Sequence, residues 1–366
     1  NEYYKKENNS PDPSYLNALF MLANGYYDIE DYRSAIQLGK ETWEVNMKLN
    51  VKYNNTSLII LDLLAASSEN IDEYANAIEY LELRAQIGKE ILGVNNDDYL
   101  FSLNLLGEDY YFIGEYEKAM EIFSEVVELY RATYGKKNEN YLVGLNNKVA
   151  TDIKLGKYKE AFDVMPDLIE LTKEVLGEND PIYLKRLRSY AEVSNYIGDY
   201  QKALETYLKV VELRKEVLGE KNPDYIKSLA DLAMSYSEYG DYLKALEIKL
   251  KVVELYKEVL GEKNKDYLLA LANLGVAYST IGDYKHSLEI KLRVVDLGKE
   301  ILGEKDPGYL LNLNNLALSY SDLGDDKMAL ETSQKVIELG KKVFSENDPA
   351  YLTCKSNLAL IYMRLG

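Results

Sequence analysis

The sequence repeats itself every 42 residues. Gly114, Gly156, Gly198, Gly240, Gly282, Gly324 and Gly366 are each 42 residues apart, and so are Tyr99, Tyr141, Tyr183, Tyr225, Tyr267, Tyr309 and Tyr351. Counting back in the tyrosine register reaches Ser57 and then Tyr15. A third series runs from Tyr32 through Tyr74, Tyr116, Tyr158, Tyr200 and Tyr242 to Tyr284, each with Ala or Ser three residues later. A fixed period of this length means that one small unit is stacked on copies of itself, and it excludes a single closed globule.

One unit shows what is stacked. Asn222-Pro223 places an N-cap acceptor before a proline whose missing N–H costs nothing at the first helical position. Leu229, Leu232, Ala233 and Tyr236 then fall on one helical face. Gly240 ends this first helix, A, of about 14 residues, and Asp241 caps a second, B, of about 18. Ala245, Leu246, Val252, Val253 and Val259 form the apolar side of B, and Gly261 stops it. Neither helix can bury its stripe alone, so the hairpins must stack.

Composition removes most chemistry. The 366 residues contain one His (His286) and one Cys (Cys354), too few for a disulfide framework, a thiolate metal site or a His-dependent hydrolase. The glycines are singletons at turns, so none forms a phosphate-cradling loop. No metal, cofactor or catalytic residue is therefore assigned. A net charge of −18 argues against nucleic acid and anionic membrane as partners, and no apolar run reaches the roughly 20 residues of a membrane span. A cytoplasmic location is expected.

The segments Gly240-Asp241-Tyr242-Leu243-Lys244-Ala245-Leu246-Glu247 and Val259-Leu260-Gly261-Glu262-Lys263-Asn264, followed by Leu271, Leu274 and Tyr278, resemble the 42-residue tetratricopeptide repeat (TPR) of kinesin light chains. The resemblance covers nearly the whole chain and implies an all-α fold, a right-handed superhelical solenoid of stacked antiparallel hairpins. Residues 1–14 read as a non-repeat leader and 15–366 as the solenoid: eight helix pairs and a ninth helix A, a fragment of a longer protein. The family implies a non-catalytic scaffold that binds a peptide or partner domain. The alternative is the regulatory arm of a larger effector, with a protease- or NTPase-type domain outside this chain.

The resemblance also implies that the A helices line a concave face. Its N-terminal zone is acidic and aromatic: Phe20, Asn24, Tyr27, Asp28, Asp62, Glu69, Phe101, Asn104, Glu108 and Tyr111. Residues 1–114 hold 19 acids against 8 bases, so this zone either suits a Lys- or Arg-bearing peptide or is a solvated acidic coat. Lys185, Arg188 and Lys227, extended by Arg186, form a small basic zone for an acidic motif. Met234, Leu269, Val276, Leu311, Leu318 and Leu360 form an apolar zone. That zone suits an amphipathic helix, a fused C-terminal domain or a second copy of the chain, unless neighbouring A helices pack on it. Two irregularities stand out: Lys148 and Asp152 replace the usual Leu and Tyr, four apart and able to pair, and Pro166 interrupts a B helix and should kink it.

Overall fold

The computed structural model describes residues 12–50 and 52–365. Most of the expected leader lies outside that range, as does Gly366. The first helix already begins at Pro13, capped by the Asp12 side chain, two residues before the expected boundary. Among the described residues every regular element is an α-helix. There are seventeen: α1 (Pro13–Asp28), α2 (Tyr32–Leu49), α3 (Asn55–Glu69), α4 (Tyr74–Ile91), α5 (Asp97–Phe112), α6 (Tyr116–Tyr134), α7 (Glu139–Lys154), α8 (Tyr158–Leu176), α9 (Pro181–Tyr196), α10 (Tyr200–Leu218), α11 (Pro223–Tyr239), α12 (Tyr242–Leu260), α13 (Lys265–Thr280), α14 (Tyr284–Ile301), α15 (Pro307–Asp322), α16 (Asp326–Gly340) and α17 (Pro349–Leu365). Odd helices are the A elements of the repeat and even helices the B elements.

The local signals act as the residues suggest. Asn222 caps α11 with Pro223 in its first turn, Gly240 ends that helix with φ +96°, and Asp241 accepts from the Lys244 N–H to start α12. Where the turn glycine is missing, at Glu30 and Asp72, the backbone still takes φ +62° and +61°, so the turn geometry survives at some conformational cost. Helix α8 continues through Pro166, whose ring is exposed. Lys148 and Asp152 do pair, at 3.3 Å on α7.

The chain divides into two compact units, residues up to Tyr183 and residues from Leu184. From α1 to α8 and again from α10 to α17, each helix packs on the next along the chain. The register tyrosines from Tyr99 to Tyr351 are only 1–5% exposed, and they lock neighbouring hairpins by apolar burial. Odd helices of successive hairpins also touch, α1 with α3 and α5 with α7 in the first unit and α15 with α17 in the second, whereas among the described residues no two even helices come as close. Where those pairs meet, the odd side is the tighter side of the stack.

Candidate functional site

In the first unit the odd-helix face is built mainly from α1, α3 and α5. Asn54 starts α3 through a reciprocal capping box with Ser57, and Asn96 caps α5 through the Asp98 and Tyr99 N–H groups. A groove between α3 and α5 has two connected parts sharing Glu69 and Leu105. The larger, about 480 Å³, is lined by Leu58, Ile59, Asp62, Arg84 and Phe101 among others. The smaller, about 230 Å³, is lined by Glu69, Asn70, Tyr74, Leu105, Glu108, Asp109 and Phe112. Phe101 is half exposed and Phe112 more so. The Phe112 ring stacks on Tyr74 at 5.5 Å, and Tyr111 meets Phe112 and Tyr116 edge-on.

The expected acidic residues differ in availability. Asp62 accepts from Nε and Nη2 of the buried Arg84, whose Nη1 reaches the Asp98 carbonyl, so its charge is already matched. Asn104 is buried. It donates to Glu108 at 2.7 Å and accepts from Asn147, one repeat further, at 3.3 Å. Glu108 also accepts from Asn147. Glu69 is half-buried, and burial together with the Glu108 charge raises its carboxyl above the usual range. Phe20 is half-buried against the Leu16–Leu19–Ile60 cluster. Asn24 is half-buried, Asp28 is exposed, and Tyr27 accepts a long bond from Asn70.

Asp109 escaped the sequence reading. Its register slot is filled elsewhere by Ser67, Thr151, Val193, Ser235, Ala277 and Ser319, a packing position rather than a lining one. The available signal was a full charge in a slot of small or apolar residues. Asp109 is 3% exposed and its Oδ2 has no hydrogen-bond partner. Burial first, then the charges of Glu69 and Glu108, push its carboxyl up to about 7.

In the second unit, Arg188 is held by Asp231 at 2.6 Å and by Glu192 at 3.0 Å. Arg186, expected to extend the basic zone, is buried. That leaves Lys185 and Lys227 exposed. Lys227 lines a cavity of about 660 Å³ with Asp224, Asp231, Met234, Lys249 and Leu269, a lining of mixed charge. Met234, Leu269, Val276, Leu311 and Leu360 are exposed, whereas Leu318 is half-buried. His286 is exposed, bonded to Asp283 and stacked on Tyr278, and Cys354 is buried. Among the described residues no group of three or more His, Cys, Asp or Glu could hold a metal ion, and no helix is long and apolar enough to cross a membrane.

A family profile described as tetratricopeptide repeat matches residues 56–132, 186–258, 240–300 and 268–342, and a second of the same description matches 143–182. No curated protein matches the sequence significantly. Solved structures do match by fold. The kinesin light chain-like TPR repeats of Podosopora anserina are 21% identical, cover 55% of this chain and 95% of their own, and give a TM-score of 0.51. BtubC (BKLC) from P. vanneervenii is 18% identical over 63% of this chain and 94% of its own, with a TM-score of 0.52. A tetratricopeptide repeat protein from Parabacteroides merdae is 14% identical over 84% and 100%, with a TM-score of 0.54.

Proposed function

The chain belongs to the tetratricopeptide repeat family, with kinesin-light-chain-like repeats, and from this premise we propose that it is a non-catalytic scaffold binding a basic, partly apolar protein segment on the odd-helix face of its first unit. The observation that carries this reading is the division of labour along the repeat. The recurring tyrosines from Tyr99 to Tyr351 are buried as packing, while in the α3–α5 groove Phe101 and Phe112 stand exposed beside Glu69 and Glu108. Exposed aromatics flanked by carboxylates fit a segment that offers both apolar and cationic side chains.

Less supports an acidic partner in the second unit, because Arg188 is already matched by two carboxylates. Selection of random peptides on the whole chain tests the proposal. Recovered peptides should be rich in Lys and Arg, and Phe101→Asp should weaken their binding at least tenfold without unfolding the helices. Enrichment of acidic peptides, or binding indifferent to Phe101→Asp, would reject it.

A further inference from the structure

Three other buried charges have polar partners. Asp152 pairs with Lys148, Arg84 with Asp62, and Lys291 donates to Ser279 and Ser319. Asp109 differs. Asp109 is among the residues lining the 230 Å³ cavity and its buried Oδ2 is unpartnered, and an uncompensated buried polar atom carries a real cost.

The surroundings deepen the deficit. Glu69 is the last residue of α3, and Glu108 and Asp109 sit near the end of α5, the end where a helix presents its unsatisfied carbonyls and partial negative charge. Neither helix has a basic residue in its last turn. The N-terminus of α4 brings some positive potential, but its N-cap residue is Glu73, which makes no side-chain cap. None of the residues lining the cavity is cationic. Three carboxylates and two helix C-termini thus meet at a small open space whose lining carries no cationic side chain. The stacked Tyr74 and Phe112 rings stand in its wall, where they can face a flat cation.

We propose that this cavity is a receptor for one arginine side chain of the bound segment, its guanidinium bridging Asp109 and a neighbouring glutamate against the Tyr74–Phe112 pair. Arginine fits better than lysine because its planar fork can serve two carboxylates at once and stack on a ring. The proposal rests on the basic-segment reading above and narrows it to one anchor. The titratable groups facing Asp109 are Glu69 from α3, Tyr74 from α4 and Glu108 on its own helix, and the raised Asp109 carboxyl means that the cation competes with a proton near neutral pH.

The test is an NMR titration of the whole chain with three blocked tripeptides, acetyl-Gly-Xaa-Gly-amide, where Xaa is arginine, lysine or neutral citrulline. At pH 8 the arginine peptide should move the amides of Asn70, Tyr74 and residues 108–112 saturably. Lysine should bind more weakly, and citrulline at least tenfold more weakly than arginine. Asp109→Asn and, independently, Glu69→Gln should each weaken the arginine peptide at least fivefold, and lowering the pH from 8 to 6 should weaken it for the unmodified chain but not for Asp109→Asn. Equal binding of citrulline and arginine, or full affinity in both folded variants, would overturn the proposal. If display-selected basic peptides still bind through Phe101 while the arginine tripeptide leaves these amides unmoved, the pocket is wrong and the wider face stands.

Discussion

Asp109→Asn keeps the shape of the side chain and removes its charge, so it isolates what a buried carboxylate costs. The Asp109 carboxyl sits at about 7 in the folded chain, against roughly 3.9 for an unfolded one. Between those values the native state keeps a proton that the unfolded state releases. Fewer protons are then bound on unfolding, and stability falls as pH rises. Below about pH 4 both states are protonated and the penalty is absent; above about pH 7 it is complete. At about 1.36 kcal/mol per pH unit the whole interval sets a ceiling near 4 kcal/mol, and pH 5 to 8 spans about 2.7 of it. Solvent reaching the half-exposed glutamates screens part of this, so about 1.5–2.5 kcal/mol is expected over that range. The assay is urea unfolding of both chains at pH 5 and pH 8, with hydrogen exchange of the α5 amides as the local readout. The stability of Asp109→Asn relative to the unmodified chain should rise by that amount from pH 5 to pH 8. The unpaired amide left behind shifts both values equally, so it does not enter the difference. A gap that stays constant with pH would refute the idea that Asp109 is an uncompensated charge.

Three further substitutions test the packing. Lys291 occupies the slot of Leu81, Phe123 and Met165 in other repeats, and burial lowers its pKa, opposed by Asp322; Lys291→Met should stabilise the chain near neutrality by about 1–3 kcal/mol. Because the unfolded state binds that proton more tightly, stability of the unmodified chain rises with pH from the lowered Lys291 value towards 10.5, and Lys291→Met should flatten that rise; an unchanged pH profile in thermal melts would count against it. At Gly107 an added Cβ would lie 2.6 Å from the Phe123 ring, so Gly107→Ala should cost about 1–3 kcal/mol despite alanine's better helix propensity. Phe123→Leu, which reproduces the Ala65–Leu81 pairing of the previous repeat, should recover most of the loss in a double-mutant cycle; additive losses would show that the two positions are not in conflict.

The hairpins were legible because burial selects the same side chains in every copy. The Tyr99-to-Tyr351 series is buried in every copy and Asn222 and Asp241 cap their helices, so periodicity alone implies their roles. Lys148 and Asp152 could be paired from spacing. The groove was only half legible. Phe101, Glu69 and Glu108 could be picked out as irregular residues at lining positions, but whether a charge is free depends on what lies across the stack. Asp62 is matched by Arg84, 22 residues away, and Arg188 by Asp231, 43 residues away; no pattern within one helix reveals either. Asp109 was missed for a related reason, since its register marked it as packing and only the assembled walls show that nothing answers its charge.

The two sides of each stack are tied by different kinds of bond. On the odd side, one repeat reaches the next through partly buried links, Asn147 to Asn104, Arg188 to Asp231, Asn357 to Asn314 and Arg364 to Ser321. On the even side the ties are solvent-facing pairs from a loop lysine to the following even helix, Lys137–Glu174, Lys221–Glu258 and Lys263–Glu300. Ions in solution weaken the second kind far more than the first. Concentrated electrolyte should therefore loosen the even-side ties of each stack while leaving the odd-side links in place, so the two layers of one stack answer differently to the same ionic medium.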